Sequence, residues 1–202
     1  MSNLDLNKYQ LPCDERDSSG NMGDYSTTSS DKKIEVYFRN IASHLIREIE
    51  KAEVVVGCVA WMTDPKIINA LSKKKAVSII VQKEDFLRPD FGQNKKGLNR
   101  KKLRALYNKL NGGLYRLEFD NVLQSVSICT DPSIEAVRCI GHKRKFLGSP
   151  LMHNKFLVFC EWVNEIQRTD EFGDEISEQI PPRIVPYAVW TGSFNLSKTA
   201  SL

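Results

Sequence analysis

Two short segments of this sequence carry the side chains most suited to phosphate chemistry. The first, PLMHNKFLVFCE, holds His153 and Lys155 at the start of an otherwise apolar run, and the second, YAVWTGSFN, ends with Ser193 and Asn195. An ammonium offers a point charge to a phosphate oxygen, while hydroxyl and carboxamide groups offer neutral donors. An imidazole can act as nucleophile or general acid. The residue types therefore predict a phosphate site, provided that the fold brings the two segments together.

The apolar character of both segments predicts β-strands. Residues two apart in a strand point to the same face, so we expect His153 and Lys155 to project side by side near the start of a central strand. If the two strands pair as an antiparallel hairpin, the start of the first lies beside the end of the second. Ser193 and Asn195 would then reach the same edge of the sheet.

The residues before this hairpin predict the fold class. Continuous apolar runs at 54–62 and 76–82 and an alternating run at 114–119 are typical of strands, with helices expected at about 64–74 and 99–110 between them. This strand–helix alternation is the signature of parallel neighbours in an α/β fold. We predict a mixed central β-sheet flanked by helices on both faces.

The remaining segments define the domain organisation. Residues 1–30 are polar and predict a flexible tail, and residues 31–202 predict a single domain. Asp31 is expected to cap an amphipathic helix that runs to about Ala52. Between the two long strands, residues 161–184 form an acidic insertion. It is interpreted either as a solvated loop or as a gate or docking site.

The paired motifs resemble a known family. HNK followed by TGSFN resembles the HxK…GSxxN signature of the phospholipase D superfamily. The longer pattern that surrounds these motifs, AVRCIG…MHNKFLVF…YAVWTGSFNLS, is similar to that of the superfamily's branch of bacterial single-motif nucleases. The resemblance covers the chain from about Ile34 to its end. It implies a phospholipase D-like α/β sandwich and a hydrolase that cleaves phosphodiesters through a phosphohistidine, without metal or other cofactor.

The resemblance also implies the site and its assembly. The catalytic residues would be His153, Lys155, Ser193 and Asn195. In the family, one histidine attacks phosphorus and a second protonates the leaving oxygen, so each site needs two motifs. This sequence has one, which implies a homodimer with a shared cleft.

The sequence departs from the family at two places. The aspartate found five residues after the family's lysine is replaced by Cys160, and the neighbouring Glu161 is expected to point to the opposite face. Family members also continue after GSxxN with a helix and an acidic residue that orients the histidine, whereas this sequence stops at Leu202. The domain is therefore interpreted as truncated, or as receiving the acid from the insertion or a partner.

Basic segments predict contact with nucleic acid, because Lys and Arg bind phosphates without regard to sequence. Seven Lys or Arg and no acid lie between positions 95 and 109, against seven acids and one base between 161 and 178. The candidate nucleic-acid-binding residues are Lys95, Lys96, Arg100, Lys101, Lys102, Lys143, Arg144 and Lys145. The alternative is a solvated helix face. Trp61 and Trp190 are interpreted as core or sheet residues, whereas Trp162 is a core residue or a base-stacking one.

Composition excludes other classes of protein. No apolar run is long enough to span a bilayer, which disfavours a membrane partner and a phospholipase, and no signal segment opens the chain. Five scattered cysteines without CxxC spacing indicate reduced thiols in the cytoplasm rather than disulfides or a metal site. The leading hypothesis is a nuclease acting in defence against foreign nucleic acid, with a protein partner in a larger defence complex as a further expectation. The alternative is a nucleic-acid-binding or interaction module without catalysis.

Overall fold

The computed structural model describes residues 26–82, 95–112, 114, 136–140, 151–169 and 172–197. The chain divides into two compact units, Met1–Ile41 and Ala42–Leu202. In the first unit, strands β1 (Thr27–Thr28) and β2 (Glu35–Val36) pair antiparallel. Most of the polar tail predicted for residues 1–30 lies outside the described residues.

The helix predicted from Asp31 begins later in the chain. The Asp31 carboxylate accepts hydrogen bonds from Ser29 Oγ and Lys33 N, so it closes the turn between β1 and β2 instead of capping a helix. Asn40 has a φ of 50°, which interrupts a right-handed helix at this point. Helix α1 therefore spans Ile41–Lys51, and Leu45 and Ile49 form its buried stripe.

The second unit contains a mixed five-stranded sheet in the order β5-β4-β3-β6-β7. Its strands are β3 (Val54–Val59), β4 (Ala76–Gln82), β5 (Val137–Ile140), β6 (Lys155–Thr169) and β7 (Glu175–Thr191). The β3–β4 and β4–β5 pairs are parallel, whereas β3–β6 and β6–β7 are antiparallel. The predicted mixed α/β sheet is confirmed, with β6 between β3 and β7.

Two described helices follow β3 and β4. Helix α2 (Pro65–Leu71) starts where the Asp64 carboxylate accepts a hydrogen bond from Lys66 N, so Asp64 acts as its N-cap. Helix α3 spans Lys95–Tyr107, which is about four residues earlier than the sequence indicated. No helix in the described part of the chain combines the length and apolar character needed to cross a membrane.

Close packing between β3 and β6 depends on a glycine. Gly57 lies opposite Leu157, and a Cβ atom added at Gly57 would stand 2.9 Å from Leu157 Cα and would overlap the carbonyl oxygen of Phe156. These two atoms belong to the backbone, so they cannot turn away as the third obstructing atom, Leu157 Cδ2, could. Gly57 therefore sets the approach of the strand that carries Lys155.

The acidic insertion is an extension of β6 and β7, not a loop. Residues 165–169 pair with 175–179, and Arg168 forms a 3.2 Å ion pair with Glu178. Since β3 pairs with β6 only as far as Cys160, the extension forms a two-stranded ribbon in the described residues. Thr169, the last residue of β6, lies about 45 Å along the strand from Lys155, given the rise per residue of a strand. Glu175 and Glu178, which pair with the last residues of β6, are therefore separated from Lys155 by most of the length of that strand, which argues against a gate of these residues over the chain's own His153.

Candidate active site

Three strand ends meet at one rim of the sheet. Val59, the last residue of β3, pairs with Lys155, the first residue of β6. The next residue of β6, Phe156, pairs with Thr191 at the end of β7. The antiparallel order thus places the residues after Thr191 beside the start of β6, as expected from the hairpin argument.

His153 and Lys155 are in direct contact at this rim. The Lys155 Nζ atom lies 3.0 Å from His153 Nε2 and also donates a 3.1 Å hydrogen bond to the His153 carbonyl. Because an ammonium has no lone pair, Nε2 must accept, and a neutral imidazole then carries its proton on Nδ1. His153 is exposed and Lys155 is half-buried, so both groups are accessible from solvent.

His153 lies just before β6, yet its backbone neighbours are fixed on both sides. Met152 N donates a 2.7 Å hydrogen bond to Gln82 Oε1, and the Gln82 side chain is buried at the end of β4. Asn154 O accepts a 2.9 Å bond from Ala60 N. Gln82 is a positioning residue that the sequence analysis missed, because a glutamine at the end of an apolar strand gives no signal of its partner.

The segment after β7 is anchored to the same rim. Thr191 Oγ1 donates to the Lys155 carbonyl at 3.4 Å. Five residues further, Leu196 is buried and forms a parallel bridge with Met62, and its carbonyl accepts bonds from the Thr63 and Asp64 amides at 2.7 and 2.9 Å. Ser193 and Asn195, which lie between these anchors, are therefore held at the rim.

The side chains of Ser193 and Asn195 differ in their surroundings. Ser193 is exposed and Asn195 is half-buried. The Asn195 Oδ1 atom is shielded from solvent and has no hydrogen-bond partner in the structure as described. A buried carbonyl oxygen without a partner is costly, so Asn195 Oδ1 would be stabilised by a group that donates a hydrogen bond to it.

Trp61 is a further residue at the rim that sequence reasoning did not single out. Its ring centroid lies 5.8 Å from that of His153, with an interplanar angle of 71°, which is an edge-to-face arrangement. The sequence analysis interpreted Trp61 as a core or sheet residue because it follows the apolar run of β3. It is half-buried and stands one residue before the Met62 bridge.

Together these groups can bind and attack a phosphate. An anion that inserts between Nε2 and Nζ would accept hydrogen bonds from the ammonium and expose phosphorus to the imidazole lone pair. Ser193 can add a hydroxyl donor at the open side of the rim. This is an arrangement of nucleophile and cation, built on three strand ends that are themselves fixed by backbone hydrogen bonds.

Cys160 occupies the core and not the rim. Its side chain is fully buried and packs with Val54, Ala76, Leu114 and Ile184. Burial raises the pKa of the Cys160 thiol to about 11, so the thiol is neutral at ordinary pH. Cys160 therefore contributes to the hydrophobic core, and none of its described contacts involves His153.

The basic residues lie partly within α3. Tyr107, in the last turn of α3, donates a hydrogen bond to the Met62 carbonyl, which joins this end of the helix to the residue after Trp61. Burial raises the pKa of Tyr107 well above its usual value, so the hydroxyl stays protonated and donates. Lys101 and Lys102 are exposed on the same helix.

The remaining residues predicted to contact nucleic acid lie at the start of α3 or outside the described residues. Lys95, Lys96 and Arg100 belong to the first turns of α3. Lys143, Arg144 and Lys145 lie outside the described residues. Trp162 is half-buried against the Cys160 cluster, and its amide donates a 2.7 Å bond to Glu53 Oε2, so the core interpretation of Trp162 is the one its contacts favour.

Comparison with known proteins gives one informative match. The chain is 33% identical over 188 residues to an uncharacterized protein of Acanthamoeba polyphaga mimivirus; the match covers 88% of this chain and 59% of the relative. The chain thus spans less than two thirds of that relative's length. No family model and no solved structure matches the chain.

Proposed function

We propose that this protein is a metal-independent phosphodiesterase, and specifically a nuclease that cleaves DNA or RNA. The observation that carries the proposal is the 3.0 Å contact between His153 Nε2 and Lys155 Nζ at an accessible rim of the sheet. A nucleophilic nitrogen and a fixed cation at this separation can engage one phosphate group. The finer fold assignment, a phospholipase D-like sandwich with helices on both faces, belongs to the same proposal.

The reaction proceeds in two displacements. His153 Nε2 attacks phosphorus, and the bond from phosphorus to the leaving oxygen breaks as the phosphorus–nitrogen bond forms. The leaving oxygen takes a proton from the imidazolium of a second histidine. Water then attacks the phosphohistidine, transfers a proton to that second histidine, and releases the phosphate product with His153 restored. Lys155 and Ser193 stabilise the negative charge on the non-bridging oxygens throughout.

The second histidine is supplied by a second copy of the chain. Each chain offers one His153–Lys155 pair, so the complete site requires a homodimer with the cleft on its two-fold axis. A shared cleft also accounts for the exposure of His153, because the other wall of the site comes from the partner copy. The acidic residue that orients the histidine in the resembling family has no counterpart among the contacts of His153 that the structure describes.

Nucleic acid is the substrate best matched to the charge distribution. Exposed lysines of α3 lie on a helix whose last turn is joined to Met62 beside the rim. Lys contacts to successive phosphates hold a polyanion without sequence preference. The biological role that we propose for this activity is defence against foreign nucleic acid in the cytoplasm, in concert with a protein partner.

The proposal is tested by cleavage of plasmid and single-stranded DNA or RNA in the presence of EDTA. We expect product formation to persist at the same rate with and without the chelator, because the imidazole replaces a metal-bound nucleophile. Cleavage that disappears in EDTA contradicts the mechanism. Binding with a steep salt dependence but without any cleavage would instead establish the alternative, a binding module that has kept the fold and lost the chemistry.

The role of α3 gives a second expected result. Replacing Lys101 or Lys102 with glutamine should weaken DNA binding for all sequences and reduce the slope of log K against log salt by about 1 per lysine. The measurement is a salt titration by fluorescence anisotropy. Lys73→Gln is the matched control, because Lys73 is exposed and lies before β4, at the opposite end of that strand from Gln82. If the slope of log K against log salt is equal for all three variants, α3 does not contribute to the DNA-binding surface.

A further inference from the structure

We infer that Trp61 is the residue that orients the His153 imidazole, a task that a carboxylate could otherwise perform. The inference rests on the proposed function, since it concerns the same histidine. Its basis is the edge-to-face contact of the two rings, 5.8 Å between centroids at 71°. Trp61 is thus a positioning residue: it acts on the substrate only through His153.

Both rings stand on backbone that is fixed on either side. The residues flanking His153 are bonded at 2.7 Å to Gln82 Oε1 and at 2.9 Å to Ala60 N. The residues flanking Trp61 are Ala60, which makes that second bond, and Met62, which bridges to Leu196 and accepts the Tyr107 hydroxyl. The Ala60–Asn154 bond therefore links the two segments directly, and the ring contact follows from this shared framework.

The contact between the Trp61 and His153 rings matters most when a phosphate is bound. In the described structure the side chain of His153 contacts the Lys155 ammonium and the Trp61 ring. A bound phosphate draws the Lys155 ammonium towards its own oxygens, which removes the hydrogen bond that aims Nε2. The aromatic contact does not depend on that charge and persists. Trp61 then remains as the group that keeps Nε2 directed at phosphorus while the new bond forms.

An aromatic positioning residue differs chemically from a carboxylate. A carboxylate would accept a hydrogen bond from Nδ1 and add a full negative charge, whereas the indole restricts rotation of the imidazole through packing. Removing the ring should therefore disturb the orientation of the nucleophile more than the binding of the phosphate. The expected kinetic signature is a fall in kcat with little change in KM.

The experiment compares Trp61→Leu with Trp61→Phe in the full-length protein. In Trp61→Leu, kcat for a dinucleotide diester should fall about 10- to 100-fold, which is the cost of misplacing a reacting group by about 1 Å. KM should stay within about threefold. Trp61→Phe retains an aromatic edge and should recover most of the lost rate. Trp162→Leu is the matched control, because it removes a half-buried indole that packs on the Cys160 cluster.

A spectroscopic arm separates this inference from the proposed activity. The ring-proton chemical shifts of His153 in two-dimensional NMR spectra should change in Trp61→Leu, be largely restored in Trp61→Phe, and stay unchanged in Trp162→Leu. The NMR measurement requires no substrate. It therefore tests whether Trp61 orients the His153 ring even if the protein cleaves no phosphodiester. Unchanged His153 shifts in a folded Trp61→Leu, or equal kcat losses in Trp61→Leu and Trp162→Leu, would overturn the inference.

Discussion

Replacing His153 with asparagine is expected to lower the rate of phosphodiester cleavage by at least about 1,000-fold, because the proposed covalent route uses the His153 imidazole as its nucleophile. Asparagine keeps a polar side chain of similar reach but has no basic nitrogen. The measurement is the initial rate on plasmid DNA and on a chromogenic aryl phosphodiester, both in EDTA. The two substrates distinguish a failure of chemistry from a failure to hold a long polyanion.

The control for this result uses the same substitution elsewhere in the chain. His44 is half-buried in α1, outside the rim, so His44→Asn should keep the wild-type rate. Thermal unfolding of both variants should agree with wild type within a few degrees, since His153 is exposed and contributes little burial. A His153→Asn protein that keeps a tenth or more of the activity would rule out His153 as the nucleophile.

The substitution Gly57→Ala should give the largest loss of stability expected of any single methyl group added to the sheet. The new Cβ atom would meet backbone atoms of Phe156 and Leu157, so β3 and β6 must separate or shift. Overpacking of this kind typically costs about 1 to 3 kcal/mol, and we expect the upper end because the backbone atoms in the way cannot rotate aside. The free energy of unfolding should be measured by urea denaturation.

The same substitution tests how the rim is built. Gly57 lies two residues before Val59, the partner of Lys155, so separation of the strands should also displace the ammonium from His153. Gln167→Ala is the control, because Gln167 is exposed on the ribbon and its loss should change stability by less than about 0.5 kcal/mol. A Gly57→Ala protein as stable as that control would mean that β3 and β6 do not approach as closely as described.

Much of the sheet could be predicted from the sequence, because its signals are local and strong. The apolar run 76–82 coincides with β4, and Asp64 followed by Pro65 opens α2. The antiparallel hairpin followed from two long apolar segments joined by a polar one. The contact between His153 and Lys155 also agrees with their spacing, although His153 lies just before the strand and is held by Ala60 and Gln82 rather than by strand geometry alone.

Other features depended on interactions that the sequence pattern does not encode. Apolar spacing at helical period continued back to Ile34, yet the turn at Asp31 and the positive φ of Asn40 start α1 only at Ile41. The acidic insertion looked like a loop because its residues are polar, but cross-strand pairing extends β6 and β7 through it. The contact between Trp61 and His153 could not be predicted from the sequence pattern, because the two rings are 92 positions apart in the chain.

The most direct test of the central claim is to find the phosphate on the histidine. Wild-type protein mixed with a diester labelled at phosphorus and quenched in alkaline denaturant should carry one label per dimer, that is, half a label per chain. Peptide mass spectrometry should locate that label on His153 as an alkali-stable, acid-labile phosphoramidate. His153→Asn should carry no label. A label on another residue, or rapid cleavage during which no label ever accumulates on His153 even when water attack is slowed by low temperature, would contradict the account.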